Sequence, residues 1–179
     1  MPAYYTYFIA TLPTLIFRSK PPLSFEGFVA LSARYIPEKD AQILKAVASP
    51  EKDFYEGPQQ ALRRWQDFDT RLRNELAKVR SSRKRIDPLK YARRYERSDT
   101  YLSHQATHIQ RNPSVLDAEK LVDEERWRFL DELSLGHYFD LDALIVYALK
   151  LLILERWDKI HNADKPALLE EALAKAGKG

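Results

Sequence analysis

The sequence predicts an all-α fold: a multi-helix domain with a long C-terminal helical hairpin and a Pro/aromatic-rich N-terminal segment. Three observations carry that prediction. Leu62, Trp65, Phe68 or Asp69, Leu72, Leu76 and Val79 recur at three- and four-residue spacing, which sets them on one face of an α-helix. The block from Leu116 to Trp157, LDAEKLVDEERWRFLDELSLGHYFDLDALIVYALKLLILERW, reads as two long helices around a tight corner, Gly136-His137-Tyr138-Phe139-Asp140. Residues that start helices stand at intervals along the chain, at Ser24, Pro37, Pro58, Asp87-Pro88 and Asp140.

Taken in order, the opening AYYTYFIATLPTLIF is rich in aromatic and branched residues, and periodicity leaves helix and strand both open for residues 4–12. Pro21-Pro22 forces an extended link. Ser24 caps a helix through about Ala33, and Pro37 suits the first turn of another through about Val47. Residues 49–58 form a loop with two prolines and Gly57. Pro58 opens the amphipathic helix to about Arg80, and Ser81 to Arg85 end it. Helices follow from Asp87-Pro88 to about Tyr95 and from Asp99 to Arg111, and Asn112-Pro113-Ser114 breaks the chain. In the first helix of the hairpin, Val115, Ala118, Val122, Phe129 and Leu133 lie near one line and form the buried stripe. The second helix is apolar nearly all round from Leu141 to Leu154, which makes it a central helix enclosed by neighbours. Asp164-Lys165-Pro166 starts a last short helix. The whole, 1–179, reads as one domain with a Pro-rich part (1–57), a basic helical part (58–111), and the hairpin with its tail helix (114–176).

Composition sets bounds on function. With 179 residues, 45% apolar and 31% charged, the chain can bury a sizeable core under a solvated surface. It has no Cys, so disulfides and thiolate chemistry are excluded. The N-terminus has no basic n-region, and Pro13 interrupts its apolar run, so no signal peptide is expected. The longest apolar run, Ala143 to Leu154, is interrupted by Lys150 and falls short of the roughly 20 residues of a membrane span. The net charge of +3 hides an asymmetry: Arg63 to Arg97 holds thirteen Lys/Arg against five Asp/Glu, a local +8 against −5 for the remainder.

The motifs of ordinary enzymes do not appear. His104 and His108 are four apart on a helix, the spacing at which two imidazoles share a metal, but Gln105 stands where the zincin pattern needs Glu. Two surface histidines is the ordinary reading, with no metal and no cofactor. The carboxylates of Asp123, Glu124, Glu125, Asp131 and Glu132 read mostly as solvated, and Asp140 and Asp142 sit where a helix N-terminus favours anions. There is no Gly-rich phosphate loop and no nucleophile elbow, so no catalytic residue is assigned.

Two charges do not fit a solvated face. Arg126 lies close to the buried stripe with Val122 and Leu130 four residues away on either side, so no ion-pair partner stands at that spacing on its own helix. Lys150 has Val146, Tyr147, Ile153 and Leu154 around it. An unpaired buried charge is prohibitive, so each snorkels or meets a carboxylate from elsewhere, in this chain or a partner. An inter-helix pair is the first expectation for Arg126 and snorkelling for Lys150. Trp127 points away from the stripe, which calls for a second surface over it: the N-terminal segment, or a partner for which it is the anchor.

The basic segment interleaves Arg80, Arg83, Lys84, Arg85, Arg93 and Arg94 with Tyr91 and Tyr95. Three readings stay open: a solvated helix pair, an electrostatic contact with an acidic protein or anionic lipid headgroups, and single-strand nucleic-acid binding over 80–97. No nucleic-acid-binding fold signature accompanies the charge, so the last is the weakest.

Four runs of residues carry a family resemblance. They are Tyr4-Tyr5-x-Tyr7…Ala10-x-Leu12-Pro13-x-Leu15…Pro21-Pro22-Leu23-Ser24…Phe28; Trp65…Phe68-Asp69…Leu72-Arg73…Leu76; Ala118-Glu119…Leu121…Arg126-Trp127…Leu130; and Gly136-His137-Tyr138-Phe139-Asp140…Tyr147-Ala148-Leu149-Lys150-Leu151…Leu154-Glu155-Arg156-Trp157. Together they resemble an uncharacterised bacterial family whose genes lie among V-type ATPase subunit genes. The resemblance implies a non-catalytic accessory or stand-in for the C subunit (d in eukaryotes), an all-α protein between the rotor ring and the central shaft. This chain is about half as long as a complete C subunit, so at most it supplies part of that socket. The partners then expected are other ATPase subunits, at the cytoplasmic face of the inner membrane, with anionic headgroups nearby. The interface residues expected are Arg80, Arg83, Lys84, Arg85, Tyr91, Arg93, Arg94 and Trp127.

Overall fold

The computed structural model describes residues 3–48, 57–84 and 99–162, with no account of the side chains of Ala3, Arg83 and Lys84. Among the described residues there are seven helices and no strand: α1 (Ala3–Thr11), α2 (Phe25–Ser32), α3 (Glu38–Ala46), α4 (Gln60–Lys84), α5 (Thr100–Gln110), α6 (Val115–Ser134) and α7 (Leu141–Asn162). The all-α prediction holds. The expected helices at 87–95 and after Asp164 lie outside the described residues.

Local chemistry accounts for most boundaries. Ser24 Oγ accepts from Gly27 N at 3.0 Å and Ser114 Oγ from Asp117 N at 3.2 Å, each satisfying an orphan N–H at a helix start. Asp99 does the same for α5, accepting from Leu102 N at 3.2 Å, and Asp140 for α7, accepting from Ala143 N at 2.8 Å. Gly136, at φ 86°, takes the left-handed turn just beyond α6. The undecided opening is a helix, α1, which buries Tyr5 and Phe8 and leaves Tyr4 and Tyr7 outside. Helix α4 runs four residues past the expected end at Arg80, and α7 runs five past Trp157.

Helix α7 is the centre of the molecule, as its all-round apolar pattern predicts. Leu144, Ile145, Ala148, Leu151 and Leu154 are fully buried, and α2, α3, α4 and α6 pack around it. Each of the Leu and Ile side chains among them contributes roughly 1.5–3 kcal/mol by leaving water. Two carboxylates on α7 also hold the starts of other helices. Glu155 Oε1 accepts from Phe25 N at 2.6 Å, and the Asp142 carboxylate faces the backbone N–H groups of Gln60 and Ala61, which offset part of the burial that raises its pKa. Anions at these positive helix ends orient α2 and α4 against α7.

The buried side chains form two clusters. The larger joins α1, α2, α3, the start of α4, the second half of α6 and α7. The smaller joins Phe68, Leu72 and Leu76 of α4, Leu102, Ala106 and Ile109 of α5, and Ala118 and Val122 of α6. Helix α6 serves both, which corrects its expected single stripe. Val115 is 80% exposed, Phe129 is only partly covered, and Trp127 and Leu130 are buried on the other side. Phe129 stacks on Phe68 with ring centroids 3.9 Å apart, at the boundary between the clusters.

Candidate functional site

The densest chemistry in the described residues lies at that boundary, where α4, α6 and α7 meet. Its hub is Asp123, on α6, only 1% exposed although expected to be solvated. One carboxylate oxygen accepts from Arg126 Nη1 at 2.8 Å, while the other accepts from Arg156 Nη1 at 3.0 Å and Trp157 Nε1 at 2.9 Å. Arg126 also reaches α4, where its Nε and Nη2 both lie 2.8 Å from Asp69 Oδ1. Arg73 holds the second oxygen of Asp69 at 2.8 Å. On the other side Arg156 Nη2 donates to Glu119 at 2.6 Å, and Glu119 meets Arg80 at 3.5 Å.

The result is a continuous chain, Arg73–Asp69–Arg126–Asp123–Arg156–Glu119–Arg80, of alternating sign across three helices. Burial works against the Arg126 charge, but Asp69 and Asp123 outweigh it and hold the guanidinium proton more tightly than usual. Burial likewise pushes the Glu119 carboxyl up, and Arg156, Arg80 and Arg126 together bring it below its ordinary value. The inter-helix pair expected for Arg126 is present as Asp69. The second partner, Asp123, stands three residues back on the same helix, a spacing the four-residue test passed over. Chemically this is a saturated ionic strut: its carboxylates face cations and indole N–H, and its guanidinium groups face carboxylates.

Lys150 sits one layer away. Its Nζ donates to Asp131 at 2.5 Å and lies 5.1 Å from the centroid of the Trp127 ring. Asp131 is mostly exposed, so the Lys150 stem is covered while its head reaches a carboxylate at the surface. Trp127 is covered on its other side by Phe17, with ring centroids 5.3 Å apart, and is buried within the chain. The N-terminal strap over it is tied by Tyr147 donating to the Pro13 carbonyl at 3.0 Å and by an exposed Arg18–Glu124 pair at 3.2 Å. Trp127 therefore offers no free anchor in this arrangement.

The other expected interface residues divide. Arg80 is half exposed and engaged, by Glu119 and by Gln110, whose carbonyl oxygen accepts from Arg80 Nε at 2.9 Å in the amide orientation that satisfies both groups. Arg83 and Lys84 fall in the last turn of α4, and Arg85, Tyr91, Arg93 and Arg94 lie outside the described residues. His104 and His108 are both exposed on α5.

The corner between α6 and α7 holds what residue-by-residue reading passed over. Leu135 is 73% and Tyr138 65% exposed, with Phe139 partly exposed beside them. His137 Nδ1 lies 2.7 Å from Asp140 Oδ2, which fixes the turn that presents these side chains. The signal was available: three large apolar residues within a five-residue corner, where no helical period buries them.

Residues 88–168, which include α5, α6 and α7, match the family described as "Protein of unknown function (DUF2764)". No curated protein and no solved structure matches the chain. No helix among the described residues is long and apolar enough to cross a membrane.

Proposed function

We propose that this chain is a non-catalytic subunit of a bacterial V-type ATPase, an accessory or C/d-like piece linking the cytoplasmic shaft to the membrane rotor ring. The observation that carries this reading is the ionic strut. A chain of four guanidinium groups and three carboxylates ties α4, α6 and α7 across the seam between two cores. Without it, the two clusters, which share α4 and α6, are joined at their boundary by apolar contacts alone. With it, they move as one body, as a part that transmits torque must. The strut contributes orientation more than net stability, because desolvating the charges offsets much of their attraction.

The apolar corner of Leu135, Tyr138 and Phe139 supplies a contact point at the end of the braced hairpin. The link to the ATPase itself rests on the resemblance of the tyrosine-rich start, the Arg126-Trp127 run and the Gly136–Trp157 run. Single-strand nucleic-acid binding through 80–97 is the competing reading. It is weakened by Arg80, whose guanidinium is committed to Glu119 and Gln110. The test is purification of the intact ATPase in mild detergent from membranes of the organism that encodes this chain. The chain is expected at a fixed ratio to the other subunits, and its consistent absence from intact complexes overturns the proposal.

A further inference from the structure

We propose that His104 and His108 form a surface chelate for one divalent late-transition ion of the Cu2+, Ni2+ and Zn2+ class. The argument starts from how α5 is held. Asp99 caps its first turn, and Leu102, Ala106 and Ile109 are buried against α4 and α6, which fixes the rotation of the helix about its axis. That rotation turns positions 104 and 108 outward together. Residues four apart on a helix stand about 5–6 Å apart at Cβ, and two imidazoles from there reach a common ion at about 2.0–2.1 Å. Neither ring is engaged by a hydrogen bond, ion pair or ring contact among the described residues, so neither has to leave a partner to bind.

The donor set also fixes what kind of site this is. Imidazole nitrogen suits Cu2+, Ni2+ and Zn2+ and is a poor match for Ca2+ or Mg2+. Among the described residues no group of three or more His, Cys, Asp or Glu side chains is placed to hold an ion, so His104 and His108 are the two ligands these residues supply and water completes the shell. Gln105, beside His104, carries a neutral amide where the zincin pattern places its general base, so the pair is proposed as a binding site only. Among the described residues no carboxylate meets either ring, so the site is weaker than a closed structural one. Because the spacing exists only in the folded helix, the ion binds the native state in preference to the unfolded chain and stabilises it.

The test titrates the untagged full chain with Zn2+ and, separately, Ni2+, by calorimetry and by thermal unfolding. One equivalent is expected to bind, with a rise in Tm. His104→Ala and His108→Ala each lower the affinity roughly tenfold or more, because the second ligand acts at high effective concentration only when both are present. Each variant melts like the parent without metal, since both side chains are exposed, and Gln105→Ala keeps full binding. The proposal is overturned if the parent binds no single equivalent. It is equally overturned if each single variant keeps the parent's affinity, which marks two independent one-ligand sites.

Discussion

Two regions of the same hairpin reverse the usual distribution of side chains. At the strut, a carboxylate and the guanidinium of Arg126 are drawn inside, with Asp123 only 1% exposed. At the corner a dozen residues further on, Leu135 and Tyr138 stand outside. Charges inside are tolerated because each meets its opposite at 2.6–3.5 Å, and the gain is a fixed relation between three helices. Apolar groups outside carry no such internal return, which is why the strut reads as architecture and the corner as contact surface.

The sharpest break in that comparison is Asp123→Ala. It takes one of two carboxylate partners from Arg126 and from Arg156, which keep Asp69 and Glu119, and leaves the Trp157 N–H without this acceptor. A loss of about 2–4 kcal/mol is expected in denaturant unfolding. The double variant Asp123→Leu with Arg126→Met removes the mismatch instead of exposing it and is expected to lose clearly less than Asp123→Ala alone. If the double variant is as damaged as the single, the interaction is not the source of the loss.

Burial of polar groups elsewhere in the larger core predicts an alkaline limb. Tyr5 donates to Asp40 at 2.6 Å, and burial followed by the Asp40 bond raises its phenol well above the ordinary value. Burial alone pushes Tyr147 up to about 12. A folded pKa above the unfolded one means the contribution is complete below pH 10 and is lost as pH rises through the folded value. Stability should therefore fall between pH 10 and about 12, as read by unfolding free energy alongside tyrosinate absorbance. Tyr147→Phe flattens part of that fall. At neutral pH Tyr5→Phe costs about 1–2 kcal/mol, because Asp40 loses its buried donor.

The corner responds more mildly. Gly136→Ala meets no atom within 4 Å, so its cost is backbone strain alone at φ 86°, about 1 kcal/mol in thermal unfolding. Leu135→Ser and Tyr138→Ser change unfolding free energy by no more than about 0.5 kcal/mol, since both are already in water.

The sequence makes the local grammar readable and the long-range pairing obscure. Ser24, Asp99 and Asp140 are short-range signals: a side-chain oxygen and an N–H three residues on, with nothing needed from elsewhere. The enclosure of α7 is readable for a similar reason, because an all-round apolar helix has few alternatives. The undecided opening has no charge and no periodicity, so only packing of Tyr5 and Phe8 settles it as helix. Asp123 was hidden by its neighbours in an Asp-Glu-Glu run, and its partners Arg156 and Trp157 lie 33 and 34 residues away. One clue was present. Asp123, Trp127 and Leu130 follow helical spacing and mark a second buried face, which a helix shared by two cores requires and a one-stripe reading misses.

The most direct measurement of the central claim is co-purification of a Leu135→Ser/Tyr138→Ser double variant, expressed in place of the parent, with the ATPase from the native membrane. The account predicts a Tm equal to the parent's, because the strut is untouched, and loss of the chain from the purified complex. Retention of the variant at the parent's ratio contradicts the division between an internal brace and an external contact surface.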